Sequence, residues 1–265
     1  MTRPVSDWRY WSAHNSGVLA AIALFVVMFT IYVSNHPAGL TPGVATTAAN
    51  KAVLLALVAM AQTLPVLTRG LDLSVGMVFI MTNCLASAIV LGTVGQGLLG
   101  IAGVLAVGAL AGFVNGAIVV FGRLQPIITT LATGAVYYGI ALTIRPGPGG
   151  DVQGDIADLL TGQIFGTIPA ALVVLLAVVL LVYIPWRRSV LGRAAYAVGS
   201  NEQAAYMSGV PVKRAKLLAY TLAGVIAAIG GLMLTFNTYS GEASAPIAGT
   251  YTLNSIAAVV IGGTS

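Results

Sequence analysis

Residues 73 to 122 contain no charged side chain. An uncharged run of fifty positions accommodates two apolar helices of about 20 residues with a turn between them. It leaves little room for a water-soluble fold, and similar runs recur along the chain. Only 7% of the 265 residues are charged and 58% are hydrophobic, against about 25% charged in a typical soluble domain. The runs lack the alternation of barrel strands, and in lipid the backbone groups must pair internally. The expectation is an all-α, polytopic transmembrane helical bundle forming one domain over residues 1–265.

Seven spans are expected at about 17–33, 51–68, 73–91, 97–121, 126–144, 167–185 and 217–236. An eighth begins near Thr252 and is expected to be truncated, because 14 residues fall short of a span. The first run follows Arg3 and Arg9 but is longer than a signal-peptide core and lacks a clear cleavage site, so it reads as an uncleaved anchor. With a cytoplasmic N-terminus, Arg3, Arg9, Arg69, Arg123, Arg187, Arg188, Arg193, Lys213, Arg214 and Lys216 fall inside. Lys51 and Arg145 fall outside. This distribution obeys the positive-inside rule and accounts for the net charge of +5 without nucleic acid. Asp151, Asp155, Asp158 and Glu242 then face outward as a candidate docking surface for a basic partner, with solvated loop charges as the alternative.

Within this oily chain, "TRGLDLSVGM" at 68–77 carries Arg69 and Asp72 between two apolar runs. A carboxylate there has two compatible explanations. It caps the start of the third span through amides near Ser74 and Val75, or it belongs with Ser74 to a break beside a translocation pathway. Asn115 is either interhelical glue or a pathway residue. Gly108, Gly112 and Gly116, four apart on one face, mark close helix packing. Cys84 reads as a small core residue. His14 and His36 flank the first span on opposite sides and cannot share a metal. No H-E-x-x-H, G-x-S-x-G or P-loop pattern occurs, so metalloprotease, serine hydrolase and nucleotide-binding functions lose their usual supports.

The connection at 186–216 is expected to be cytoplasmic and to contain a short helix of about eight residues. Ser200 and Gln203 match a capping box, and Gly209 with Pro211 stops the helix. Such a helix needs a surface to pack on. Docking on a partner and a plain solvated loop remain open from the residues alone.

Taken in order, "GLDLSVG", "FVNG", "LQPIITTLAT", "LGRAAYAVGSNEQAAYMSGV" and "IAAVVIGGTS" resemble the permease subunits of ribose-type sugar ABC importers, in the branched-chain amino acid/ribose permease family. Glu202, Ala204, Ala205 and Gly209 match the importer-permease pattern, interrupted by Gln203. The resemblance implies that Ser200, Asn201, Glu202, Gln203, Ala204, Ala205 and Gly209 form a coupling helix for an ATPase subunit. It further implies no catalysis and no cofactor in this chain, with ATP and Mg used by that ATPase. The implied partners are an extracytoplasmic sugar-binding protein, a second permease copy and the lipid of a bacterial cytoplasmic membrane. An ion- or proton-coupled secondary carrier is the alternative, and carriers of that kind place ionisable groups within spans, where only Asp72 is a candidate here. A structural scaffold would leave the short cytoplasmic helix without a purpose.

Overall fold

The computed structural model describes residues 16–263. Arg3, Arg9, His14 and the last two positions of "IAAVVIGGTS" lie outside the described residues. In chain order the elements are α1 (Ser16–Asn35), α2 (Pro42–Val66), α3 (Val75–Ile89), α4 (Val94–Phe121) and α5 (Pro126–Ile144). Next come α6 (Gly154–Thr161) and a two-stranded hairpin, β1 (Gln163–Ile164) and β2 (Ile168–Pro169). The chain continues through α7 (Ala170–Val178), a π-helical turn at Val179–Tyr183 and α8 (Ile184–Arg188). Last are α9 (Val190–Ser200), α10 (Glu202–Met207), α11 (Val212–Thr238) and α12 (Ala245–Ile261).

Among the described residues, six helical stretches are long and apolar enough to cross a membrane, with α7 to α8 counted as one; α3 and α12 are shorter apolar helices. Several helices outrun the apolar runs that announce them, whereas α3 falls short of its run at both ends. The second begins at Pro42 rather than residue 51, the seventh at Val212 rather than 217, and the eighth at Ala245 rather than Thr252. Hydropathy marks where lipid-compatible side chains lie, whereas a helix continues until a cap or proline ends it. Thr41 does this for α2, its hydroxyl accepting from the Val44 amide at 3.3 Å. One consequence is a correction: Lys51, expected as the first residue of its span at the outer boundary, instead lies nine residues inside α2.

α11 is the centre of the bundle, with 61% of its apolar stretch buried, whereas α1 has none of its apolar stretch buried and lies at the periphery. The glycines of α4 explain the tightest contact. Gly108 and Gly112 bring the α4 backbone against Gly224 and Tyr220 of α11, and a Cβ at either position would collide with backbone carbonyl oxygens. Phe79, Tyr220, Ile226 and Phe236 fill the interior around these helices.

The connections gather at two ends. At one end, Arg69 Nη2 donates to the Ser200 carbonyl at 2.6 Å, and Arg123, Leu124 and Pro126 line a cavity with Glu202, Gln203 and Pro211. At the other, Gly149 and Gly241 pair through their backbones, the Gln153 amide donates to Val90, and Gln163 Nε2 donates to Thr46 Oγ1 at 3.0 Å. Arg69, Arg123, Arg187, Arg188, Arg193, Lys213, Arg214 and Lys216 belong to the first end. Asp151, Asp155, Asp158 and Glu242 belong to the second, beside Arg145.

Candidate functional site

With 15 residues, α3 rises only about 22 Å, short of a hydrocarbon core of about 30 Å. The non-helical stretch 67–74 supplies the rest. Irregular backbone at such depth requires internal partners, and it has them. The Pro65 carbonyl accepts from the Thr68 and Gly70 amides, both at 2.9 Å, and the Leu67 and Arg69 amides donate to Thr63 and Val66. With its amide turned to match, Gln62 brackets Asp72: Nε2 donates to the Asp72 carbonyl at 2.8 Å and Oε1 accepts from the Asp72 amide at 3.3 Å. Thr130 Oγ1 accepts from the Leu73 amide at 2.9 Å.

The side chains close the break from within. Asp72 Oδ1 accepts from the Ser74 amide at 2.8 Å and from Ser74 Oγ at 2.6 Å. Asn115 Nδ2 donates to Ser74 Oγ at 2.7 Å and, at the longer 3.5 Å, to Asp72 Oδ2. On its other side Asn115 Oδ1 accepts from Thr133 Oγ1 at 2.6 Å and Tyr137 Oη at 3.1 Å. Asp72, Ser74 and Asn115 are therefore brought together, at 3%, 0% and 0% exposure, by α3, α4 and α5. The capping expectation is corrected in one respect. Ser74, not Asp72, is the N-cap residue of α3, and the carboxylate reaches the Ser74 amide but not that of Val75. Asp72 stands two residues too early to serve as the cap itself.

Gln62, Thr130, Thr133 and Tyr137 were not singled out from sequence. Thr130, Thr133 and Tyr137 recur at helical spacing on α5, which is a legible polar stripe in an apolar helix. Gln62 carries no comparable signal, because its partner is backbone.

At the basic end the connection 186–216 is mostly helical, contrary to the expected loop with one short helix. Ser189 caps α9, its hydroxyl accepting from the Gly192 amide at 3.0 Å. The Ser200–Gln203 capping box does not form. Ser200 is the last residue of α9, and Asn201 takes the cap, with Oδ1 accepting from the Ala204 amide at 3.0 Å. α10 consequently has six residues rather than eight. Its stop is as expected. Gly209 has φ +77°; the Gly209 amide donates to Tyr206 and the Val210 amide to Ala205, each at 3.0 Å, the pattern of a Schellman motif. Ala205 turns inward against Val198 and Val212, while Glu202, Gln203 and Ala204 are exposed and Tyr206 and Met207 stand 70% and 80% exposed. Lys216 Nζ holds Glu202 at 2.7 Å.

At the opposite end α6 is an unanticipated surface helix, with Gln153 Oε1 accepting from the Ile156 amide at 2.7 Å. Asp155 and Asp158 lie on its exposed face and Asp151 just before it; Glu242 is half-buried on the neighbouring loop. The Tyr239 hydroxyl donates to Asp158, which pushes the phenol above its ordinary pKa. The four acids share one end of the molecule, far in sequence from the six-residue helix at the other.

A multi-helix membrane bundle braced around a buried carboxylate, with a capped helix presented at its basic end, has the build of a permease. The chain belongs to the family described as branched-chain amino acid transport system / permease component, which it matches over residues 44–265. It is thus a transport subunit without a catalytic centre of its own. It is 33% identical over 274 residues to the ribose import permease protein RbsC of Escherichia coli strain K12, covering 100% of this chain and 83% of that protein. Against RbsC of Bacillus subtilis strain 168 the identity is 34%, over 95% of this chain and 79% of that one. The fructose import permease protein FruF of Bifidobacterium longum is 33% identical, over 93% and 72%. No solved structure matches the chain.

Proposed function

We propose that the chain is the membrane-spanning subunit of an ATP-binding cassette importer carrying a monosaccharide or related polyol across the bacterial cytoplasmic membrane. ATP, with Mg, is used by a separate ATPase; this chain binds neither. Its similarity to ribose and fructose import permeases supports a sugar substrate. The observation that carries the coupling role is α10: a six-residue helix capped at both ends, with Tyr206 and Met207 displayed and nothing of the described chain covering them. A helix this short persists only on a supporting surface, and its exposed face is ready for a second one. Arg69 joins the Ser200 carbonyl to the broken stretch, so a push on α10 is delivered within a few residues of Asp72.

In this reading Asp72, Ser74 and Asn115 act beside the pathway by holding the break in register; Ser200, Asn201, Glu202, Gln203, Ala204, Ala205 and Gly209 serve the ATPase. Asp151, Asp155, Asp158 and Glu242 receive an extracytoplasmic binding protein, and a second permease copy completes the assembly. The N-terminus and the basic end face the cytoplasm. Alternating access follows if nucleotide and loaded binding protein each favour a different conformation.

The deciding experiment is uptake of labelled D-ribose and D-fructose in vesicles containing the chain together with the ATPase and binding protein that co-purify with it. ATP-dependent uptake that survives collapse of the ion gradients is expected. Uptake that ignores ATP and stops with the gradients would identify a secondary carrier instead.

A further inference from the structure

Lys51 of α2 and Thr250, Tyr251 and Asn254 of α12 meet at a crevice of about 370 Å³ whose other walls are apolar. Lys51, Thr250 and Asn254 are exposed. Among the described residues, the ion pair is Lys216 with Glu202, and none of these three side chains has a polar partner. Lys51 lies nine residues beyond Pro42, and Asn254 nine beyond Ala245. At about 1.5 Å per residue, each is about 13 Å into its helix. Both helices start from the acidic end, so the two side chains stand at a similar level, about a third of the way along α2 and half-way along α12.

Hydrocarbon is a poor environment for this group. A lone lysine can extend its ammonium toward an interface, but the short amide of Asn254 has no such reach, and Thr250 repeats the polar character one turn away on the same face. Polar and ionisable groups at membrane depth ordinarily face a water-filled cavity or another polar surface. The Tyr251 ring adds an amphipathic wall, held in place against Phe79 with centroids 4.6 Å apart. An apolar lining with a few convergent polar groups is the general form of a small-molecule site.

We propose that this crevice is one wall of the solute pathway. Lys51 and Asn254 donate hydrogen bonds to solute hydroxyls, Thr250 exchanges them, and the Tyr251 ring packs on the carbon–hydrogen face of a polyol. The open side is closed by a second copy of the chain. The inference rests on the importer reading for its solute, but its claim about water access does not.

The test uses the assembled transporter in membrane vesicles, in a Cys84→Ala background that removes the single, buried cysteine. Asn254→Cys and Leu253→Cys are compared for reaction with a charged, membrane-impermeant methanethiosulfonate; Leu253 is 68% exposed on the adjoining face of α12. Because the reactive thiolate is suppressed in apolar surroundings, the Asn254→Cys thiol is expected to react at least about tenfold faster than the Leu253→Cys thiol. D-ribose or D-fructose, whichever is transported, should slow that reaction. Equal, slow modification at both positions would mean that the face meets lipid. A disulfide forming between copies at Asn254→Cys, with no reaction toward the reagent, would mean a dry interface. Either result overturns the proposal. Thr250→Cys, one turn away, serves if Asn254→Cys does not assemble. Failure of the importer reading would show separately, as sugar uptake that is absent or independent of ATP while the thiol still reacts.

Discussion

Asp72 is held by donors on both sides, and the direction of every bond around Asn115 follows from that. Asn115 Oδ1 is committed to Thr133 and Tyr137, so its Nδ2 must face Ser74 and the carboxylate. Asp72→Asn would set a second amide donor in this site, and neither rotamer satisfies both neighbours: turned one way the new NH₂ meets Asn115 Nδ2, turned the other it meets the Ser74 amide. An exposed cap would tolerate the same change, since Asn caps as well as Asp. The expected loss is about 1–3 kcal/mol, measured as a lower midpoint for thermal unfolding of the detergent-solubilised complex. Wild-type stability in Asp72→Asn would reduce the carboxylate to a simple turn-forming group.

Among the elements, α10 and the α4–α11 pair put opposite demands on glycine. At Gly209 no atom lies within 4 Å of an added Cβ, so the constraint is the backbone, with φ +77°. Gly209→Val should cost about 1–2 kcal/mol locally, too little to unseat a bundle this size but enough to unwind a six-residue helix. The expected outcome is normal membrane insertion and abundance, with ATPase activity no longer stimulated by loaded binding protein. Stimulation retained in Gly209→Val, and lost when Arg187, Arg188, Lys213, Arg214 and Lys216 are neutralised, would assign α10 to a lipid surface instead. Gly112 presents the reverse case, because a Cβ there meets the Tyr220 carbonyl oxygen and the Gly224 backbone. Gly112→Leu should separate α4 from α11 and lower the yield of folded protein, with a cost of about 1–3 kcal/mol or more. Normal yield and thermal stability in this variant would show that the helices can part without penalty.

For the molecule as a whole, the decisive feature is the charge separation along the bundle. Asp151, Asp155, Asp158 and Glu242, drawn together by the Gly149–Gly241 pairing and α6, give their end of the bundle an acidic surface. Exposed charges act mainly on encounter rate and are screened over about 8–10 Å at physiological salt. Neutralising all four should therefore slow association with the binding protein, remove most of its salt dependence and leave dissociation nearly unchanged. Rates indifferent to both changes would make these acids ordinary solvated loop charges.

The helical bundle, its class and the distribution of charge between its ends were legible in the sequence because lipid imposes them locally: an apolar run must be helical, and basic residues collect on one side. Gly209 was legible for the same local reason, since a helix stop and its left-handed residue depend on a few neighbours. The capping at Ser200 was misread because Asn201, one position later, offers an equally good oxygen, and only the placement of α9 against Leu67 and Arg69 decides where one helix ends and the next begins. Asp72 raised the right question without supplying its answer. Its partners Ser74, Asn115 and Gln62 come from three parts of the chain, and the crevice of Lys51 and Asn254 joins residues about two hundred positions apart. Such pairings depend on which helix faces lie against each other, and long-range packing sets those contacts; the period of any single helix does not encode them.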